Sequence, residues 1–564
     1  MRLAVLPIAV ALAHGVLMPA VAQSRPGIAG SYLAARQAVI DGNHREAAFY
    51  LEQALITDPN DAELIGRAIL AHAALGQWEH ALNNAARLPD NAPRRELANL
   101  VELVELARQG EFAAAKGMIE AGRGVGHLAD GLVLAWLHLG EGDKSAAVDG
   151  FTGLAKGEGG SLAEIARYHL ALARAVTGDF EGADVILSGE AYGPLEATTR
   201  GIQTHAQVLV QLGQQDAALE LLDNTISLTA DPVLLELREL IVAYPARPYD
   251  FLIDAKAGVA EVFFSLAQGM GGDNGAALPL LYTRAAHRID NEHSDALILA
   301  GDLLRQDGLP HLAADAYAEV RSEGPKGIAA RLGQAEAMFD MGQGAAAAAL
   351  LQDLAGMHPD LATVHGALGD VLRRQERFAD AAAAYSDALV LMDPDQPRAW
   401  FLYYVRGISL ERDNRWDEAE RDFRRALALN PDQPQVLNYL GYSLVEQHRN
   451  LDEALDMIER AVAAEPQSGY IVDSLGWVLY RLGRFEDAVD PMERAVRLRP
   501  NDPIINDHLG DVYYRVGRRR EAEFQWHRAL SFDPTREEAA RIRLKLELGL
   551  TRVLELESIA DRTQ

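Results

Sequence analysis

"YIVDSLGWVLYRLGRFEDAVDPMERAVRLRPND", residues Tyr470–Asp502, contains a Leu-Gly pair, Leu475-Gly476, that returns at a nearly fixed interval. Leu509-Gly510 lies 34 residues downstream and Leu440-Gly441 lies 35 residues upstream. Numbered from Gly469, the unit has small residues at positions eight, twenty and twenty-seven (Gly476, Ala488, Ala495). Large apolar residues fall at seven, eleven, seventeen and twenty-four (Leu475, Leu479, Phe485, Met492). Val472, Leu475, Val478, Leu479 and Leu482 recur at helical spacing, which predicts a helix over 470–482. Gly483 ends it in a tight turn. A second helix runs through Ala488, Met492 and Ala495 until Pro500 stops it. Small residues at fixed places let the two helices approach closely, and bulky residues fill the spaces between.

The register carries along the chain. Gly510, Ala522, Ala529 and Pro534 repeat it in 503–536, and Gly441, Ala454, Ala461 and Pro466 in 434–468 with one extra residue in the turn. Gly407, Trp416, Ala419, Phe423, Ala426 and Pro431 give 400–433; Gly369, Phe378, Ala381, Tyr385 and Ala388 give 362–395. Segment 328–361 keeps Gly342, Ala347 and Pro359, with Ala335 in place of the first glycine, and Gly301, Gly308, Ala313, Tyr317 and Pro325 give 294–327. Upstream, turn-then-helix phrases such as "GNHREAAFYLEQAL" (42–55) and "GQWEHALNNAARL" (76–88) continue at intervals of 32 to 36 residues.

Helix–turn–helix units of this length and residue order resemble the tetratricopeptide repeat. The resemblance implies an all-α, right-handed superhelical solenoid whose units bury their faces on one another and wind a concave groove along the molecule. It gives a degenerate N-terminal array of six units over 28–232 and a regular array of seven units over 294–536. Between them, 233–293 reads as an irregular helical hinge or a stretched unit with a glycine-rich turn at 269–275. Residues 537–564 read as a capping helix and tail, which covers the apolar face the last unit would otherwise expose.

Composition bounds the function. With 564 residues, the chain exceeds one ordinary core, as an array allows. Its net charge of −29 repels nucleic acid and anionic headgroups. The absence of cysteine excludes disulfides, thiolate metal sites, thiol nucleophiles and lipid attachment at cysteine. The N-terminus places Arg2 before an apolar run that ends in Ala20-Val21-Ala22, an A-x-A signal. Cleavage after Ala22 would remove 1–22 and export the chain to the periplasm. No later stretch approaches the ~18 uninterrupted apolar residues of a membrane span.

Signals for catalysis, metal or cofactor are missing. "GVGHLA" (124–129) matches a dinucleotide-loop pattern, but no strand precedes it, so it reads as a turn. The informative residues are those that packing does not require. In tetratricopeptide folds, positions two, five, nine, twelve and thirteen of the first helix face the groove. The resemblance thus assigns to a partner-binding surface Arg373, Arg374, Phe401, Tyr404, Arg412, Asn438, Tyr442, Tyr470, Asp473, Trp477, Tyr480, Arg481, Tyr514 and Arg515, with Asp507 and Asp511 beside the last two. Tyr, Trp and Arg dominate binding energy at many interfaces. The groove departs from the carboxylate clamp of cochaperones, which has Lys and Asn at positions five and nine; here Tyr404 and Ile408 stand there.

Leu437–Val489 is also similar to bacterial envelope tetratricopeptide proteins. Among them is an adaptor that hands cell-wall hydrolases to a carboxyl-terminal processing protease. That adaptor is anchored by a lipid on cysteine, which this chain lacks. The expected function is a non-enzymatic scaffold or adaptor binding a partner's peptide or helix. The alternative is a structural scaffold in an envelope secretion or polysaccharide-export complex.

Overall fold

The computed structural model describes residues 28–561 except 158–159, 230, 271–276 and 322. The expected signal peptide lies outside the described residues, as does the glycine-rich turn from 271 onward. Among the described residues there are 31 α-helices, one short 3-10 turn at Pro397–Ala399 and no strand. The all-α solenoid predicted from the repeat is the fold of the chain. It divides into two compact units, Met1–Ala337 and Met338–Gln564. The regular array expected over 294–536 is therefore shared between both units.

In the second unit, successive helix pairs follow the predicted register: Ala362–Arg374 with Phe378–Val390, Trp400–Arg412 with Trp416–Leu429, Pro434–Glu446 with Leu451–Ala464, Gly469–Arg481 with Phe485–Leu498, and Pro503–Arg515 with Arg519–Leu530. Each pair packs internally and then on the next. Position eight explains itself in space. A Cβ on Gly476 would lie 2.5 Å from Met492 Cγ; on Gly510, 2.5 Å from Trp526; on Gly369, 2.5 Å from Tyr385; and on Gly407, 2.7 Å from Phe423. The large residue at position twenty-four thus drives into the glycine of its own pair. Position fifteen turns the chain through left-handed backbone: Gly483 and Gly517 have φ +75° and +84°. Glu376, Asn414 and His448 adopt the same hand at φ +60°, +61° and +53°.

The array ends in two helices where one was expected. Gly549, at φ +79°, breaks the terminal segment into Arg536–Leu548 and Leu550–Asp561. Thr535 starts the first with a reciprocal capping box to Glu538.

In the first unit, the pairs Ala62–Ala74/Trp78–Ala85, Arg95–Gln109/Phe112–Glu120, His127–Gly140/Lys144–Ala155, Ser161–Val176/Phe180–Leu187 and Thr199–Gln211/Gln215–Thr229 stack in the same way. Segment 233–293, expected as an irregular hinge or a stretched unit, lies inside this unit. After Pro232–Ala243, the helix Ala255–Gly269 packs on the first helices of three pairs, Arg95–Gln109, His127–Gly140 and Ser161–Val176. Ala277–Ile289 packs on Ala62–Ala74 and Arg95–Gln109. This pair covers the inner face of the N-terminal array. Every residue from Gly258 to Ala267 is buried, and all but Glu261 and Ser265 are apolar or glycine, as suits a helix enclosed on all sides. Gly258 admits the Trp136 ring, which would meet a Cβ at 2.3 Å.

Candidate functional site

The first helices of the pairs in the second unit carry the predicted groove positions, and they divide into two groups. Position two stays in water. Phe401 is 45% exposed and Tyr470 51%. The Arg499 guanidinium sits 4.0 Å from the Tyr470 ring centroid. Ile504, at the same position of the last pair, is 45% exposed; the sequence reading passed over it although the register alone identifies it.

Positions five, nine and twelve are largely engaged. Trp477 and Tyr480 are each 8% exposed. Their rings stack at 4.9 Å, and His508 stacks on the other face of Trp477 at 4.1 Å. Trp477 Nε1 donates to Glu446 at 2.7 Å, and Arg481 donates to the same carboxylate at 3.2 Å. Asp473 holds His508 Nδ1 at 3.0 Å. Burial opposes charge on His508, but Asp473 outweighs it and moves its pKa up. Glu446 and His508 had no place in the sequence reading; both are ordinary polar residues there.

Tyr404 joins an aromatic cluster, 6.2 Å from Phe423 and 6.0 Å from Tyr439. Arg412 lies over Phe378 at 5.3 Å. Arg373 donates to the Tyr385 hydroxyl at 3.1 Å, and Arg374 stacks 3.6 Å from the Phe339 centroid while donating to Asp340 at 3.2 Å. Tyr442 is half-buried, which raises its hydroxyl pKa. Asn438 Oδ1 is buried with no hydrogen-bond partner among the described residues. Arg515 covers Phe485 at 4.5 Å, and Arg519 covers Tyr514 at 3.5 Å.

The last pair is closed by the cap. Lys545, fully buried, reaches Asp507 at 2.7 Å and Asp511 at 2.7 Å, and Trp526 Nε1 donates to Asp511 at 3.0 Å. Positions five and nine of Pro503–Arg515 therefore face the capping helix rather than solvent.

The first unit holds a separate cavity of about 500 Å³, lined in part by Ile165, Tyr168, Leu195, Arg200, Leu221 and Glu261. Glu261 accepts from Tyr168 at 2.9 Å and from Arg200 Nε at 2.9 Å, and His293 Nε2 lies 3.1 Å away. Burial opposes its ionisation, but Arg200 and His293 outweigh that and hold its pKa well below the carboxylate range. The sequence signal was faint: one acid in the apolar run 257–267.

Comparison with known proteins agrees with this architecture. The tetratricopeptide repeat family model matches residues 332–399, 404–469 and 446–503, all in the C-terminal half. A TPR repeat-containing protein of Pseudomonas aeruginosa is 28% identical over 176 residues, covering 31% of this chain. The match spans only 29% of that relative's own length. Among solved structures, the APC/C hetero-tetramer Cut9–Hcn1 is 15% identical with a TM-score of 0.39, covering 93% of this chain and 96% of that one. YrrB, a TPR protein described with an unusual peptide-binding site, is 20% identical with a TM-score of 0.28, covering 34% of this chain and 97% of its own. The class the fold defines is the helical repeat scaffold. Residues 332–503 of this chain carry tetratricopeptide repeats.

Proposed function

We propose that the chain is a non-enzymatic protein-interaction scaffold, acting after export, that receives an extended segment or helix of a partner on the inner face of its second unit. The observation that carries this is the exposure of Phe401, Tyr470 and Ile504, at the same register position of their pairs. Large apolar side chains left in water at equivalent places along an array suit coverage by a partner. Arg499 brings a guanidinium to the exposed Tyr470 ring, and Arg412, on the same row of first helices, lies over Phe378, so the partner segment would combine apolar anchors with acidic residues. Trp477, Tyr480, Tyr404 and Tyr442 then act as the wall of the groove, and Asn438 as a polar contact.

Arg2, the apolar run after it and Ala20-Val21-Ala22 support export. The likeness of Leu437–Val489 to envelope adaptors supports presentation of substrates to an envelope protease. The length of the array supports the alternative, a structural scaffold of an envelope secretion or polysaccharide-export complex.

The test is affinity capture from envelope extract with wild type beside a Phe401→Ala, Tyr470→Ala, Ile504→Ala variant of equal melting temperature. The expected result is a dominant partner retained by wild type and lost by the variant; its identity separates adaptor from structural scaffold. Equal retention by both would refute the inner face as the site.

A further inference from the structure

A second cavity in the first unit, of about 400 Å³, is lined by Arg108, Lys256, Arg284, His287, Arg288 and Glu319, with Gly76, Trp78, Ile289 and Asn291 completing the wall. Five potential cations against one lining carboxylate is an unusual density in a chain of net charge −29. Their compensation is uneven. Arg288 is matched by Glu79 and Glu105, each at 3.1 Å, and Arg108 by Glu105. Arg284 is not matched in the same way. Its side chain is 5% exposed, yet its acidic partner is Glu319, 3.3 Å away and itself 48% exposed. Its Nε donates to the Ala74 carbonyl at 3.2 Å. Burial lowers the Arg284 pKa, the mark of a guanidinium whose charge is not fully offset. His287 Nδ1 is buried with no hydrogen-bond partner among the described residues, and Lys256, half-buried, makes no ion pair among the described residues.

Buried charge is ordinarily paired and hydrogen-bonded. Here a nearly enclosed guanidinium and an ammonium without an ion pair line one polar space. We propose that this cavity binds a small oxyanion, a phosphate- or carboxylate-bearing molecule, with Arg284 and Lys256 supplying charge. Arg284 Nε and Nη1 already donate to the Ala74 carbonyl and Glu319, which leaves Nη2 for a ligand, and Lys256 adds a mobile point charge. Burial, then the charge of Arg284, pushes the His287 pKa down to about 4, so near neutral pH it adds no charge to the lining.

The cavity is built by the helices that fill the N-terminal inner face, so it is independent of the proposed partner surface. The test is calorimetric titration of the full chain with inorganic phosphate and, separately, malonate, both at constant ionic strength against chloride. Wild type should give saturable binding to at least one. A preference for phosphate identifies a phosphorylated ligand, and a preference for malonate a carboxylate ligand. Lys256→Ala should weaken binding at least tenfold, and Lys256→Glu should abolish it. Lys116→Ala, at a surface ion pair with Glu141, should leave it unchanged. Absence of saturable binding by both anions, or equal loss in the Lys116 and Lys256 variants, would overturn the proposal. Lys256 carries no hydrogen bond or ion pair among the described residues, so its variants should fold.

Discussion

Lys545 offers the sharpest test of how the C-terminal cap is held. Its ammonium is fully buried between Asp507 and Asp511, whose side chains are 14% and 1% exposed. Lys545→Met keeps the apolar stem and removes the charge, leaving Asp511 nearly enclosed. Breaking a buried pair by removing one partner costs about 3–5 kcal/mol. Arg541, at 3.8 Å from Asp507 and 4.0 Å from Asp511, partly compensates. The expectation is therefore the lower end, about 3 kcal/mol.

The penalty should depend on pH in a defined direction. Burial pushes the Asp511 pKa up, and Lys545 is the strongest influence lowering it. A carboxyl whose folded pKa lies above its unfolded value favours folding below the unfolded value. That contribution is lost as pH rises through the folded pKa. Without Lys545 the folded pKa moves higher still, so the variant should lose more at pH 7.5 than at pH 5. Contacts in a repeat array are local, so the damage should concentrate at the end of the chain. Hydrogen exchange across Arg536–Leu548, with urea unfolding at both pH values, reads both effects. Lys545→Met/Asp511→Asn should recover most of the loss, because the orphaned charge is gone. An equal penalty at the two pH values, or unchanged protection of Arg536–Leu548, would refute the reasoning.

Gly510→Ala should destabilise by about 1–3 kcal/mol through overpacking, since a Cβ there meets the rigid Trp526 ring at 2.5 Å; a urea midpoint measures it. Glu376→Gly should stabilise by about 1 kcal/mol, because Glu376 holds left-handed backbone at φ +60°; a rise in melting temperature checks it. Glu261→Gln should cost about 3 kcal/mol by leaving Arg200 short of a buried counter-charge. Burial opposes the Glu261 charge but Arg200 outweighs it and depresses the pKa, so its contribution is present above the unfolded carboxyl pKa and lost as pH falls toward the folded one. The gap between wild type and Glu261→Gln should therefore narrow in acid, as chemical denaturation across pH would record.

The fold was legible because packing in a repeat is enforced many times over. Gly476, Gly510, Gly369 and Gly407 each stand where a large side chain of the partner helix arrives, and the sequence records the pairing at constant spacing. The turn was legible for the same reason at Gly483 and Gly517. At Glu376, Asn414 and His448 the backbone bends identically without glycine, so residue type alone marks the bend less clearly there. The segment 233–293 resisted reading because its determinant is long-range. A helix buried on all sides has no polar face to announce its period, and nothing local states that Gly258 will lie against Trp136, more than a hundred residues earlier.

The site was less legible than the fold because register says which way a side chain points, not what else points there. Trp477 and Phe401 both project from the inner side of first helices, and both are aromatic. Trp477 meets His508 on the next pair and Glu446 on the preceding one, and is 8% exposed. Phe401 sits at position two, beside Trp400 at 5.6 Å, and remains 45% exposed. The difference arises from neighbours one repeat away, so inner-face aromatics divide by register position: nine and twelve knit adjacent pairs together, and two stays available. The cap sharpens the same distinction. Asp507 and Asp511 occupy groove positions of the last pair, and Lys545 brings the array's own chain onto them. The inner face of the first unit is likewise covered by Ala255–Gly269 and Ala277–Ile289. Two stretches of groove are thus occupied in cis by helices that the repeat pattern does not specify. The surface we propose for a partner is the stretch where Phe401, Tyr470 and Ile504 reach water.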